Sequence, residues 1–357
     1  MIQESLNVIG LGQAGSRIAK FFDRANVPTV YANSDEVDFR GLNIPENKTL
    51  IIEGTGTGCS YIKGLQMVDK NYEVFIDYIS KNLNKDKLNL FIFGAGGGSG
   101  ASMSTRAIKY ATENKFRVGI LTVLPSKMLG MIPMDNAIKT LKDLKEFPIN
   151  MFVLADNEHL SKDAVIGKDW WSEINQRIYN QVEAAFEITG SKKTSQAGIG
   201  SIDKGELMRT LQYGNGLIDI RTFRIKKDQM TDEYIDELLH KPVLTEGYNY
   251  KDSLAYIINI DTPMFGNYSQ FASNVFTKSK GKYGSAVSKF GMFVDSSLSE
   301  EIVLTIVTAG MKFPKIVTKE MKDFNREGVR FGKKKEKEDK TDFSIVNESL
   351  IDDNFEF

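Results

Sequence analysis

Two glycine-rich stretches carry the clearest chemistry in the chain. Gly10-Leu11-Gly12-Gln13-Ala14-Gly15 follows a short apolar run and opens a helical pattern, a full GxGxxG between a strand and a helix. Glycines at such a turn let backbone N–H groups approach phosphate oxygens at the amino end of a helix. Alone, this fingerprint suits an NAD-dependent oxidoreductase, with Asp35 near the end of the second strand as the acid that holds a ribose. It also suits a glycine turn that holds nothing. The second stretch, Gly94-Ala95-Gly96-Gly97-Gly98-Ser99-Gly100, again lies between an apolar run and a helix. Five glycines and a hydroxyl make a concavity of N–H donors suited to a di- or triphosphate. A dehydrogenase has no need of two such cradles on adjacent loops, so the pair points to a nucleoside di- or triphosphate gripped from both sides. GxxxxGK[ST] is absent, which excludes a Walker-type NTPase. A third turn, Gly54-Thr55-Gly56-Thr57-Gly58, fits either a cover for the terminal phosphate or a flexible polar loop.

Farther along, Ser201-Ile202-Asp203-Lys204-Gly205-Glu206 has the Asp-x-x-Glu spacing of a capping box, opening a helix over 206–211. Trp171 and Asn175 stand four apart in a helical pattern and share a face. Metal and thiol chemistry is thinly supplied. Cys59 is the only cysteine, and His159 and His240 are the only histidines. That excludes an internal disulfide and a Cys-clustered zinc site, and leaves little for Ser-His-Asp catalysis. His159 is expected to pack its loop, and Cys59 is assigned no chemistry.

The elements that must position these residues follow from hydrophobic periodicity. Apolar runs predict strands over 6–9, 29–32, 49–52, 88–93, 118–124 and 149–154, several of them continuous, as in strands buried on both faces. Helical patterns lie between, the clearest over 60–83, where Leu65, Val68, Tyr72, Phe75, Ile76, Ile79 and Leu83 line one face. Strands alternating with helices imply a doubly wound, Rossmann-like parallel sheet, with ligands at the carboxyl ends of the strands. A long helix follows over 169–189, with Ile174, Ile178, Val182 and Phe186 on one side. The polar stretch 190–202 marks a boundary. Strand-like runs over 254–260, 291–294 and 302–308 predict a second, smaller α+β domain, and Val317, Met321 and Phe324 a last helix after Pro314. The fold class expected is therefore α/β in five parts: a nucleotide-binding domain (1–168), a central helix (169–190), an α+β domain (191–314), a C-terminal helix (315–332) and a disordered charged tail (333–357).

A chain of 357 residues is too long for one compact core and comfortable for two domains. Lys and Arg number 46 against 47 Asp and Glu, a formal net charge of −1, which argues against a protein that coats nucleic acid. No signal-type segment opens the sequence, and no apolar run of about 18 residues occurs, so a cytoplasmic location without membrane association is expected.

At these residues the chain resembles the tubulin/FtsZ superfamily of GTP-dependent filament proteins. Gly12-Gln13-Ala14-Gly15 is similar to its first nucleotide loop, Asn33-Ser34-Asp35 to the N-T/S-D turn after the second strand, and Gly96-Gly97-Gly98-Ser99-Gly100 to the GGGTG signature after the fourth. Asp156-Asn157 follows the sixth strand, where the family places an asparagine that reads guanine. The resemblance implies that Trp171 stacks on the base and Asn175 bonds its edge. An amide offers a donor and an acceptor together, which suits guanine. Without the family, an aromatic core anchor and a solvent-facing amide account for the pair. GTP or GDP is then held by Gly12, Gln13, Ala14, Gly15, Asn33, Gly54, Thr55, Gly56, Gly96, Gly97, Gly98, Ser99, Gly100, Asn157, Trp171 and Asn175. Mg²⁺ is expected to bridge phosphate oxygens with mostly water as its other ligands and no protein metal site.

In the family, the loop after the long helix carries N-x-D-x-x-D/E, whose acids enter the neighbouring subunit's pocket and polarise the attacking water. The resemblance therefore implies that Asp203 and Glu206 are catalytic, in a head-to-tail filament of identical subunits. It covers residues 5–315, and Ile302–Thr308 with Ala309-Gly310 is similar to the family's late V-T-A-T-G strand. Glu53-Gly54, Val123-Leu124-Pro125, Ala155-Asp156-Asn157, the Asp203/Glu206 pair and the charged tail point toward the TubZ-type members. Those members imply segregation of plasmid or phage DNA through a DNA-bound adaptor on the tail, without direct sequence-specific DNA contact, or a phage spindle that positions DNA. Two departures stand out. Ala101-Ser102 replaces the signature's Thr/Ser-Gly, which removes a hydroxyl and adds a side chain near the phosphates, and Ser201 replaces the asparagine before the acids. A nicotinamide oxidoreductase and a non-hydrolysing nucleotide scaffold are the alternatives.

Overall fold

The computed structural model describes residues 2–52, 56–162, 170–189, 200–264, 266, 268–283 and 286–314. The chain begins with a single turn, α1 (Ile2–Ser5), then β1 (Leu6–Leu11), α2 (Gly12–Arg24), β2 (Thr29–Asn33) and β3 (Thr49–Ile51). There follow α3 (Tyr61–Lys70), α4 (Tyr72–Asn82), β4 (Leu88–Gly94), α5 (Ser99–Glu113), β5 (Val118–Leu124), α6 (Met131–Lys145), β6 (Met151–Asp156), α7 (Asn157–Leu160) and α8 (Trp170–Glu187). The remainder comprises α9 (Lys204–Leu211), β7 (Leu217–Lys226), α10 (Asp232–Leu238), β8 (Ala255–Thr262), α11 (Ser269–Lys282), β9 (Val287–Val294) and β10 (Glu301–Ala309).

Among the described residues the strands form one sheet in the order β3-β2-β1-β4-β5-β6-β7-β10-β8-β9. Pairing is parallel from β3 to β7, β10 runs antiparallel to both its neighbours, and β8 and β9 are parallel. Every position of β1, β5 and β6 is buried, because helices cover both faces of this part of the sheet. Val8 packs with Ile18 and Phe22 of α2 and Ile178 and Val182 of α8. Ile9, its side chain on the other face, packs with Met103 and Ala107 of α5. This is the expected doubly wound arrangement. The β6–β7 join is narrow, with only Phe152↔Leu217 and Val153↔Ile218 in register. Beyond it a separate apolar cluster lies between α10, α11 and the sheet, including Ile235, Leu238, Phe271 and Ile306.

Three local readings need correction. The helix expected over 60–83 is two helices that break at Asn71 (φ −109°, ψ 22°), whose side-chain amide bonds Met67 O at 2.9 Å. An asparagine that satisfies the preceding turn itself removes the incentive for the helix to continue. The strand expected over 149–154 starts two residues later and runs to Asp156. Asn150 Oδ1 takes the Val118 amide at 2.7 Å, which leaves Ile149 buried but outside the ladder.

The third correction is an omission: β7, α10 and α11 were not anticipated. In β7 the fully buried positions include Asp219 and Arg221, so the run does not read as an apolar strand. Arg221 Nε lies 2.8 Å from Asp219 Oδ2, its Nη1 and Nη2 donate to Leu239 O (2.9 Å) and Tyr283 Oη (2.8 Å), and its guanidinium stacks 4.1 Å over Tyr250. Burial pushes the Asp219 carboxyl above its usual range, and the guanidinium beside it opposes that shift.

The central helix holds Ile174, Ile178, Val182 and Phe186 on its buried side, as the spacing predicts. The expected helix over 315–332, the tail over 333–357 and nearly all of the boundary segment 190–202 lie outside the described residues. No helix among the described residues is long and apolar enough to cross a membrane.

Candidate functional site

Because β1 and β4 are parallel neighbours, with Leu11 opposite Phe93, both glycine-rich turns emerge at the same end of the sheet. They interlock. Gly12 has φ +68°, and a Cβ there would stand 2.7 Å from the Gly100 Cα. One on Gly100 would stand 2.7 Å from Leu11 O. These glycines are therefore required by backbone contact between the loops, whatever ligand is bound. Gly97 differs, since the nearest atom to an added Cβ is Gly94 O at 3.6 Å, an ordinary contact. The turn is open at that position. Both helices that start here, α2 after Leu11 and α5 after Gly98, lack a side-chain cap. Their first N–H groups remain available to an anion.

Hydroxyls from three loops converge on the same point. Ser34 Oγ hydrogen-bonds Ser99 Oγ, and Thr57 Oγ1 lies 3.2 Å from Ser99 Oγ. Asp38 draws two predicted residues together, accepting from Gln13 Nε2 at 2.7 Å and Asn33 Nδ2 at 2.9 Å. Gln13 and Ala14 are exposed and Gly15 is buried. Buried Asn136 on α6 donates to Cys59 O (2.8 Å) and Gly96 O (3.0 Å), tying the third loop to the second. Thr140, one turn on, donates to Ala95 O at 3.2 Å. Of the third turn, Gly54 and Thr55 lie outside the described residues. Gly56 N donates to Ser34 O at 3.0 Å and Thr57 is buried, so its described part is packed against the site.

Asp38, Asn136 and Thr140 were not singled out in the sequence, and Ser34 and Thr57 only as members of the turn after the second strand and of the third turn. Asn136 and Thr140 had a signal, a polar pair four apart on the otherwise apolar face of a helix. Asp38 had none. Two further readings change. Asp35 caps a short turn by accepting the Val37 amide at 2.9 Å. Ala101 and Ser102 are buried, with Ser102 Oγ bonding Gly98 O at 2.8 Å and abutting Gly64 of α3. The extra side chain therefore packs against the loop backbone and α3.

The predicted base-binding residues share this end. Asp156 closes β6 and caps α7 by accepting the Glu158 amide at 2.9 Å, and Asn157 is the half-buried first residue of α7. Arg177 Nη1 reaches Leu160 O at 3.5 Å, drawing the first half of α8 against α7. Trp171 is exposed and its ring lies 4.6 Å from that of Trp170, which packs on the core. Asn175 follows one turn later, half-buried. His159 lies 3.7 Å from Glu246. Lys162 bonds that carboxyl at 2.6 Å and holds it below its usual range, so this is a loop-packing cluster.

The acids lie elsewhere. Asp203 caps α9: its Oδ1 accepts the Glu206 amide at 2.8 Å, while Glu206 Oε2 accepts the Asp203 amide at 3.2 Å. This is the capping box predicted from spacing. The other Glu206 oxygen pairs with Lys289 of β9. Lys204, between the acids, reaches Glu4 O at 3.2 Å, just before β1 begins. Gly12 lies just past the other end of β1, about 20 Å away along a six-residue strand. The helix α8, 18 residues and roughly 27 Å long, bridges the two ends.

This architecture, with glycine loops above a parallel sheet and a long helix leading away from them, matches known proteins. Residues 5–165 match the GTPase domain of the tubulin/FtsZ family. Tubulin-like protein CetZ of Pyrococcus abyssi is 24% identical over 192 residues, covering 51% of this chain and 52% of CetZ. The match thus spans about half the length of that relative. The cell division protein FtsZ of Aquifex aeolicus is 26% identical over 270 residues, covering 72% of this chain and 69% of FtsZ. Among solved structures, the GTPγS-form protofilament of Bacillus thuringiensis serovar israelensis TubZ superposes with a TM-score of 0.76 over 95% of both chains, at 18% identity. At that identity the likeness speaks to the fold, which is the tubulin/FtsZ fold.

Proposed function

We propose that this chain binds GTP on the loops after β1 and β4 and hydrolyses it only between subunits stacked head to tail. In this reading Asp203 and Glu206 of one copy complete the pocket of the next, where their carboxylates orient and polarise the attacking water. The observation that carries it is the placement of the two half-sites at opposite ends of the sheet, joined by α8. Within one chain the acids cannot reach the glycine loops, whereas a translated copy presents them to each other.

The residues present fit GTP. Two uncapped helix termini, the open turn at Gly97 and the Ser34–Thr57–Ser99 hydroxyls suit phosphate oxygens, and Asn157, Trp171 and Asn175 suit a guanine. Among the described residues no cluster of three or more His, Cys, Asp or Glu is placed to hold a metal. A Mg²⁺ beside the phosphates would supply charge neutralisation there. The nucleotide end also carries an apolar surface: Met128 (89% exposed), Leu129, Met131 and Ile132 follow β5 in one short stretch. A second copy seated there removes that surface from water. The protofilament form of the TubZ neighbour supports the same stacking.

The finer reading is a TubZ-type DNA-segregating filament, with a DNA-bound adaptor on the C-terminal tail and the chain divided at 169 and 191. It rests on the motif details and the charged tail. The experiment that tests the mechanism is GTP hydrolysis per subunit against protein concentration, with the same samples pelleted by ultracentrifugation. Activity near zero below a threshold, rising as protein enters the pellet, is expected. A rate per subunit independent of concentration, with nothing pelleted, overturns it.

A further inference from the structure

We infer that Lys289 is a positioning residue for Glu206 in GTP hydrolysis, an inference that rests on the between-subunit mechanism proposed above. The two acids are held differently. Asp203 has a short side chain, fixed by its own cap bond to the Glu206 amide. Glu206 has a longer side chain with more rotamer freedom to lose, and it is anchored twice. One oxygen accepts the Asp203 amide at 3.2 Å and the other meets the Lys289 ammonium. The Glu206 side chain is 18% exposed, beside a Lys289 side chain that is 50% exposed.

Lys289 belongs to a stretch of β9 that also supports the backbone of the acidic loop. A Cβ added at Gly291 would stand 2.7 Å from Ile202 Cδ1, and one at Gly200 would stand 2.8 Å from Phe290 O. Residues 289–291 thus run alongside the loop from Gly200 to Glu206. An ionised carboxylate has about four lone-pair sites. With one bond on each oxygen, Glu206 keeps an acceptor site on both while its orientation is set. Orienting a water needs a fixed acceptor, and Lys289 fixes it before the next subunit arrives.

The test uses the full chain and three readouts: GTP affinity of the monomer, critical concentration, and turnover per polymerised subunit. Lys289→Met is expected to lower turnover on the order of 10-fold, with affinity and critical concentration within about twofold. Lys289→Arg restores turnover to within about threefold, since it keeps the cation. Adding Lys289→Met to Glu206→Gln is expected to cost no further turnover, because the two act as one unit. Wild-type turnover in Lys289→Met beside a crippled Glu206→Gln overturns the positioning role alone. So does a loss of turnover that merely follows a loss of pelleting, which would make Lys289 an assembly contact. Wild-type turnover in Glu206→Gln instead overturns the underlying assignment of the acid. Should Lys289→Met lose GTP binding through misfolding, Lys289→Gln carries the same comparison, and full activity in it has the same overturning force.

Discussion

Of the helices that begin at the two ends of this sheet, the two that open from glycine turns and the one that carries the acids begin in opposite ways. The helices α2 and α5 start from glycine turns with no side chain on their first amides. The helix α9 starts from a closed capping box in which Asp203 and Glu206 satisfy each other's amides. At the first end, donors are left open and the side chains of Asp38, Asn136 and Thr140 are used to hold the loops together. At the second, the donors are satisfied internally by an exposed Asp203 and by a Glu206 that is half-buried against Lys289. In the proposed mechanism the open helix termini that receive phosphate and the carboxylate pair that polarises water are complementary halves. Under the proposed mechanism neither end is a complete site, and stacking two copies makes one.

The sharpest way to break the comparison is Asp203→Asn. Asparagine caps a helix about as well as aspartate, so α9 and filament assembly should persist. Turnover at saturating polymer should fall about 10²–10³-fold as the charge is lost. Wild-type turnover in that variant would leave Asp203 a cap and nothing more. The next effect is at the other end. Gly12→Ala combines a positive φ with a 2.7 Å approach to Gly100, and should cost about 2–3 kcal/mol in denaturant unfolding as well as GTP binding.

Gly97→Ala sharpens the distinction within that loop. Its Cβ has room, so unfolding stability should stay within about 0.5 kcal/mol. GTP affinity by calorimetry should drop about 10-fold, or roughly 1.4 kcal/mol, as the methyl fills the open turn. Unchanged affinity would place the phosphates elsewhere. The smallest effect separates cap from chemistry once more. Asp203→Ala should unfold about 1 kcal/mol more easily than Asp203→Asn while matching its turnover.

Much of this was legible in the residues. Continuous apolar runs located β1, β2, β4 and β5, since a strand buried on both faces has no polar side to confuse the pattern. The Asp-x-x-Glu spacing predicted the capping box. Other elements were hidden for identifiable reasons. Asn71 ends one helix and begins another inside an unbroken apolar period. Asp219 and Arg221 disguise β7, because the ion pair that makes their burial tolerable is completed by Tyr250, Tyr283 and Leu239, far along the chain. Ser102 was expected near the phosphates, and its hydroxyl bonds Gly98 O and abuts Gly64 of a neighbouring helix, a contact that no local pattern announces.

The sequence by itself determined the local chemistry: which turns admit close backbone approach, which helix starts are open and which is capped, and which runs must be buried. Those properties depend on residues within a few positions of one another. Only the tertiary structure decided which glycines serve packing and which leave room, that Asp38 joins Gln13 to Asn33, that Lys289 holds Glu206, and that the acids lie a full strand length from the glycine loops. Each of these depends on the sheet order and the path of α8, which bring together or hold apart residues that no short-range pattern connects.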